Sequence, residues 1–205
     1  MLHLIKEVFM ALVLFGLICV LVNFGFEFYS TNLGANVMID ILPDFVGYLI
    51  LYFALEKQES NGRWFRESLS VGVGMLVVSV LVFLSQIQFL FSWTNTLDSK
   101  VFALFVSLIT AGVNHIGSII YALTMVFAAL FSLAMMSEAD KIRHKGWSVT
   151  YTVFFMLYVA LAAAYVVLQF IQLPFSSNLI ALPVNIAFIL VFYFSTKTLD
   201  VFEGR

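Results

Sequence analysis

The chain has 205 residues, of which 62% are hydrophobic and 11% are charged, and its formal net charge is −2. Soluble domains are about half apolar and about a quarter charged, so this composition argues against a water-soluble domain and predicts an integral membrane protein. The slightly acidic balance offers no electrostatic footprint for nucleic acid, which we therefore exclude as a partner. Cys19 is the only cysteine, so an internal disulfide is excluded.

Apolar stretches long enough to cross a bilayer recur along the chain. About 20 uncharged residues are needed for roughly 30 Å of hydrocarbon. We therefore predict a single integral membrane domain over 1–205, an all-α bundle of six spans arranged in three hairpins. The predicted spans are 8–26, 33–55, 69–93, one within 101–136, 148–172 and 179–196.

The basic residues favour this division. Of the ten Lys and Arg residues, all but Lys100 fall on one side of the predicted membrane. Loops rich in Lys and Arg face the cytoplasm, so the N- and C-termini are predicted to be cytoplasmic and the protein to lie in the cell membrane. Trp64 and Trp147 then lie near the inner interface and Trp93 near the outer one, as in an aromatic belt.

The second span begins with two carboxylates and a proline, at Asp40, Pro43 and Asp44. Because Pro43 lacks an N–H and suits the first turn of a helix, we predict that the span is either kinked or interrupted there. Counting helical rise places Asp44 about 18 Å from the inner surface, just beyond the midplane. A charge at that depth costs on the order of 3 kcal/mol, so Asp44 should face the bundle interior.

Asp44 has two interpretations at this stage. As a site residue it would bind a proton, a cation or a cationic group, with Asp40 one turn further out on the same face. As a structural residue it would stabilise the N-terminus of a helix that sits shallower in the membrane. Asn185 has the same counted depth, and it would either line the same cavity or form a structural contact between helices.

Polar residues at the outer ends of other spans complete the set of site candidates. Asn114 and His115 lie where the fourth apolar stretch exceeds one span, and we expect the chain before His115 to bend away from the membrane normal. Residues 101–111 would form either a helix on the outer surface or an extension beyond it. Glu27 is the charged end of the first span. A lone His has no second ligand at metal spacing, so we predict no metal and no cofactor.

One segment carries a resemblance. The sequence LPDFVGY at 42–48, followed by a short basic loop, resembles a segment of small, uncharacterised multi-pass membrane proteins of bacteria, which implies a bacterial plasma membrane. The chain's size and six spans are also similar to the substrate-binding subunits of energy-coupling-factor transporters. Those subunits typically carry an AxxxA pattern in the first helix, and the first span here lacks it.

Three functional classes follow from these patterns. The preferred one is a small transporter or substrate-binding membrane subunit with a carboxylate site, whose partners besides lipid would be a small solute, a proton or a cation. The alternative is a non-transporting scaffold or sensor that acts through intramembrane contacts with a membrane protein partner. Apart from these classes, the small-xxx-small spacing of Ala160 and Ala164 predicts close helix packing. An intramembrane enzyme ranks last, because no hydrolase, metalloprotease or nucleotide-binding motif is present.

Overall fold

The computed structural model describes residues 2–22, 25–30, 35–40, 42–56, 62–94, 100–171 and 178–199, with side chains within 7–22, 42–56, 62–84, 117–171 and 181–198. Six helices and one two-stranded hairpin lie within these residues. The helices are α1 (Leu2–Leu21), α2 (Asp44–Leu55), α3 (Arg63–Thr94), α4 (Lys100–Lys141), α5 (Lys145–Ile171) and α6 (Asn178–Leu199). The strands are β1 (Gly25–Ser30) and β2 (Ala35–Asp40), which pair antiparallel.

The predicted helical class is confirmed, and four helices are long and apolar enough to cross a membrane. The qualifying segments are Arg63–Leu84, Gly117–Lys141, Lys145–Ile171 and Ala181–Thr198. Their outer faces carry exposed apolar side chains, which indicates contact with lipid. The other two apolar helices are shorter over the residues whose side chains are described, which are Glu7–Leu21 and Asp44–Leu55.

The region before α2 corrects the sequence prediction. The stretch 33–55 is not one continuous helix, because Ala35–Asp40 pairs with Gly25–Ser30 as a β-hairpin. The first span likewise ends at Leu21, not at Phe26. Pro43 precedes α2 with φ −57° and ψ 128°, an extended conformation from which the helix begins at Asp44. The predicted interruption at Pro43 is therefore confirmed, since a proline ring cannot sit inside a helix without a lost hydrogen bond.

The fourth helix is longer than any bilayer span. Lys100–Lys141 is a single helix of 42 residues, about 63 Å at about 1.5 Å per residue. The helix is continuous through His115. The bend predicted before His115 therefore does not interrupt the helix. The prediction of a separate surface helix over 101–111 is wrong. The other alternative, an extension of the fourth helix, is confirmed.

The six helices form a closed ring, of which α4 is one member. Each helix contacts its neighbours in the chain, and α6 also contacts α1. Within Gly117–Lys141, 56% of the membrane-length window is buried, against 33% or less in α3, α5 and α6. The ring of Phe131 on α4 lies 6.1 Å from that of Phe65 on α3, and 6.2 and 5.7 Å from those of Phe188 and Phe192 on α6. This aromatic core holds α4 between its neighbours.

Two glycines allow α1 and α2 to approach closely. A Cβ added to Gly47 would lie 2.7 Å from Cys19 Cβ and 2.8 Å from the backbone oxygen of Gly16. A Cβ added to Gly16 would lie 2.8 Å from Leu51 Cγ and 3.1 Å from the backbone oxygen of Gly47. Since real Cβ atoms do not approach this closely, only glycine permits this crossing. By contrast, Ala160 and Ala164 are exposed, so their predicted packing role within the chain is wrong.

A tight turn joins α4 to α5 as an antiparallel pair. Arg143 has φ 58°, a left-handed conformation at the end of α4. Its N–H donates to the Asp140 oxygen at 3.0 Å, and the N–H of His144 donates to the Ala139 oxygen at 2.9 Å. These two bonds satisfy the last carbonyls of α4, as in a Schellman cap. His144 Nδ1 then accepts from the Trp147 N–H at 3.3 Å and caps α5.

Candidate functional site

Two helix ends meet inside the bundle. The last carbonyls of a helix have no partner within that helix. At the end of α1, the Leu21 oxygen accepts a hydrogen bond of 2.7 Å from Asn185 Nδ2, which belongs to α6. Asn185 is buried, with 3% of its surface exposed. The amide therefore joins α6 to the end of α1, close to the point where α2 begins at Asp44.

A polar cavity lies at this junction. Its volume is about 60 Å³, and its polar lining comes from four helices: Asp44 of α2, Tyr121 and Thr124 of α4, Tyr165 of α5 and Asn185 of α6. The other lining residues are apolar, and none is Lys or Arg. By this measure one water needs about 10–15 Å³, so the cavity has room for about four waters or a small, partly hydrated cation.

The lining is rich in hydrogen-bond acceptors. Within the part of the chain that the structure describes, Asn185 Oδ1 is buried and has no hydrogen-bond partner. One carboxylate oxygen of Asp44 is also buried. Because a buried polar atom is destabilising until a partner satisfies it, Asn185 Oδ1 needs a donor or a cation. An acceptor-rich cavity of this size suits a proton, a small cation or a water cluster.

Neighbouring contacts fix the orientation of Asp44. Tyr48 follows Asp44 by four residues, so the two side chains lie on the same face of α2. The Tyr48 hydroxyl donates to Thr124 Oγ1 at 3.3 Å, and Thr124 donates to the Ile120 oxygen at 3.2 Å. Tyr48 also packs edge-on against Phe127, with ring centroids 5.4 Å apart. These contacts anchor α2 on α4 and direct the Asp44 face toward the cavity.

The helix-terminus interpretation of Asp44 is compatible with this geometry. Asp44 is the first residue of α2, and Pro43 at the N-cap provides no side-chain hydrogen bond. The positive N-terminal end of the α2 dipole therefore lies beside the Asp44 carboxylate. Asp44 both complements the α2 terminus and lines the cavity, so the two interpretations do not compete.

The structure brings together some of the predicted site residues and leaves others as predictions. Asp44 and Asn185 line one cavity, which is one of the two alternatives left open for Asn185, and Asn185 also forms the other, a contact between helices. Asp40 ends β2 opposite Gly25, so its predicted place one helical turn from Asp44 on the same helix face is wrong. Glu27 lies in β1 opposite Met38, so its predicted place at the end of the first span is also wrong. Asn114 and His115 lie in α4, and the side chains of these four candidates fall outside the described residues.

Three lining residues were not predicted. Tyr121, Thr124 and Tyr165 contribute hydroxyl groups, and the rings of Tyr121 and Tyr165 stack with centroids 5.7 Å apart. The sequence signal was available, since Tyr121 and Thr124 are three residues apart and share a helix face. Sequence reasoning weighed carboxylates and amides by depth but not hydroxyls. Among the side chains that the structure describes, no group of three His, Cys, Asp or Glu residues could hold a metal ion.

Comparison with protein-family models, curated proteins and solved structures finds no match to this chain. The function is therefore inferred from the geometry of the cavity and from the chemistry of its lining.

Proposed function

We propose that this chain is a six-pass protein of a bacterial cell membrane that binds a proton or a small cation in the Asp44–Asn185 cavity. Both termini are then cytoplasmic. The proposal joins the four long apolar helices with α1 and with α2, which would cross together with the hairpin that precedes it. The division of the basic residues and the resemblance of 42–48 to a bacterial segment support the orientation and the membrane.

One observation carries the binding proposal. The half-buried carboxylate of Asp44 and the buried amide oxygen of Asn185 line the same small cavity in an apolar bundle, and the amide oxygen has no protein partner among the described residues. Ionisable residues inside the membrane are costly, so they indicate a functional site by default. The cavity volume, about 60 Å³, favours a proton or a small cation over a larger solute.

The helix ends support the same proposal. In transporters with interrupted helices, the carbonyl ends of helices coordinate cations near the membrane midplane. Here α1 ends and α2 begins at the cavity, so the Leu21 carbonyl and the Asp44 carboxylate lie on the same side of the bundle. This arrangement makes a small transporter the best description, ahead of a subunit that binds a larger substrate.

Thermal unfolding of the purified protein in lipid nanodiscs tests the binding. Sodium, lithium and potassium salts are compared with choline at constant ionic strength, and the comparison is repeated across a pH series. A ligand at a hundred times its dissociation constant stabilises by about 2.7 kcal/mol. For a chain of this size that corresponds to an increase in Tm of about 5–10 °C.

Asp44→Asn should remove this response, and Asp140→Asn is the matched control. Asp140 is an exposed carboxylate near the cytoplasmic end of α4, so the same chemical change there should leave the response intact. A cation-specific increase in Tm identifies a cation, whereas a response to pH alone identifies the proton. Equal responses in wild type and Asp44→Asn would contradict the proposed site.

A scaffold or sensor role remains the second proposal, and the surface of α5 favours it. Ala160, Ala163 and Ala164 are exposed side by side, and small residues let a second helix approach closely in a membrane. Ala160→Ile together with Ala164→Ile should then disrupt capture of a membrane partner. If no partner is captured by either version in crosslinked membranes, the transport proposal stands alone.

A further inference from the structure

Three tyrosines form a row along α5. Tyr151, Tyr158 and Tyr165 recur every seven residues, which is close to two helical turns, so they share one face. All three are buried, with 0%, 0% and 1% of their surfaces exposed. Tyr165 lines the cavity, and Tyr151 lies one turn from Trp147 at the cytoplasmic end. The row therefore runs from the cavity toward the cytoplasmic side.

Hydroxyl groups on α6 continue the row at its cytoplasmic end. The hydroxyls of Tyr151 and Ser195 are hydrogen-bonded to each other in the buried interface between α5 and α6. Near the surface, Trp147 Nε1 donates to Thr198 Oγ1 at 2.8 Å. Polar groups thus reach from the interface to the exposed end of the two helices.

Tyr158, in the middle of the row, has no evident structural use for its hydroxyl. Within the described part of the chain its oxygen is buried and has no hydrogen-bond partner. Its ring packs against Phe188 and Phe154, with centroids 5.4 and 6.4 Å apart. A buried hydroxyl without a partner is destabilising, and phenylalanine would fill the same space without that penalty.

We propose that this row carries protons between the cavity and the cytoplasmic side, with Tyr158 as the middle relay. The inference rests on the proposed function, because the cavity supplies or receives the proton. Each hydroxyl accepts a proton on its oxygen from one side while it releases its own proton to the other, so one proton moves and nothing is oxidised or reduced. Successive tyrosines are about 10 Å apart along the axis, so each step requires about four hydrogen-bonded links through water.

Phe188 closes this route in the conformation described. Its ring lies 5.4 Å from that of Tyr158 and 6.2 Å from that of Tyr151, between the two relays. It is fully buried, and it follows Asn185 on α6 by three residues, on the same face. A water chain past Tyr158 must displace this ring, so Phe188 acts as the gate that limits proton leak.

The test measures proton flux in sealed vesicles of phosphatidylethanolamine and phosphatidylglycerol that contain the full chain. A trapped pH-sensitive dye reports an imposed pH gradient, and potassium with valinomycin holds the membrane voltage at zero. Tyr158→Phe should lower the flux by about tenfold or more. Its thermal stability should equal or exceed that of wild type, because only an unpaired hydroxyl is removed. Tyr193→Phe, a partly buried tyrosine on α6 outside the row, should leave the flux unchanged.

Further outcomes test the relay, the gate and the cavity site separately. A Tyr158→Phe flux equal to that of wild type overturns the relay, as does a wild-type protein that binds its ligand at Asp44 but passes no protons. Phe188→Leu should raise the passive leak severalfold, and an unchanged leak overturns the gate. If the wild-type flux needs Tyr158 but not Asp44, the relay holds and the proposed cavity site is wrong.

Discussion

Gly47→Ala tests the close crossing of α1 and α2 that positions Asp44. The added methyl would lie 2.7 Å from Cys19 Cβ and 2.8 Å from the Gly16 backbone oxygen, so the two helices must separate by several tenths of an ångström. Overpacking of this kind costs about 1–3 kcal/mol. Alanine favours the helix over glycine by up to about 1 kcal/mol, which offsets part of this loss. We therefore expect a net loss of about 1–2 kcal/mol in the free energy of unfolding.

Gly74→Ala is the matched control for that loss. A Cβ at Gly74 meets nothing within 4 Å, and the residue lies inside α3. The same substitution should there stabilise by up to about 1 kcal/mol through helix propensity alone. Denaturation of both variants in the same detergent, followed by circular dichroism, gives the comparison. If Gly47→Ala proves as stable as Gly74→Ala, the crossing is looser than described and Asp44 is not positioned by it.

Three further substitutions, at two positions, test the polar contact and the turn. Asn185→Asp replaces the donor that faces the Leu21 oxygen with an acceptor, so the free energy of unfolding should fall by about 1–3 kcal/mol; equal denaturation midpoints in wild type and variant would exclude the contact. Arg143→Gly relieves a left-handed conformation and should keep or raise stability by up to about 1 kcal/mol. Arg143→Val should lower stability in the same assay, because β-branched residues disfavour positive φ, and the opposite order of the two variants would contradict the cap.

The sequence could predict the helices and the depth of their polar residues for simple physical reasons. Backbone N–H and C=O groups in lipid must bond within the protein, and an α-helix satisfies them within one segment, so a long apolar run indicates a helix. A helix has a fixed rise per residue, so counting back from the charged residues that end the two helices placed Asp44 and Asn185 at one level. The count therefore predicted equal depths for Asp44 and Asn185, which line one cavity in the structure.

The hairpin escaped prediction because hydropathy averages over neighbouring residues. Phe26 and Phe28 alternate with Glu27, which is a strand pattern with a period of two. Counting uncharged residues by length assigned parts of this hairpin to the end of the first span and to the beginning of the second. Nothing local distinguishes a short apolar strand from the end of an apolar helix except that period.

The tight glycine crossing could not be read from the sequence either. Gly16 and Gly47 each stand alone in an apolar run, without a second small residue four positions away to signal close packing. Their function depends on which helix faces which, and this is set by the contacts among all six helices. The hydroxyl groups that line the cavity also depend on how the helices pack, because Tyr121 belongs to α4 and Tyr165 to α5.

Infrared difference spectroscopy tests the claim of a proton or cation site at Asp44 most directly. Spectra of the protein in nanodiscs are compared before and after a change of pH or addition of the cation that stabilises it, and the carboxyl band is assigned by its loss in Asp44→Asn. The proposal predicts one carboxyl group that changes its protonation or its coordination and that vanishes in this variant alone, while Asp140→Asn keeps it. A spectrum in which ligand or pH changes leave the Asp44 carboxyl band unaltered would contradict the site.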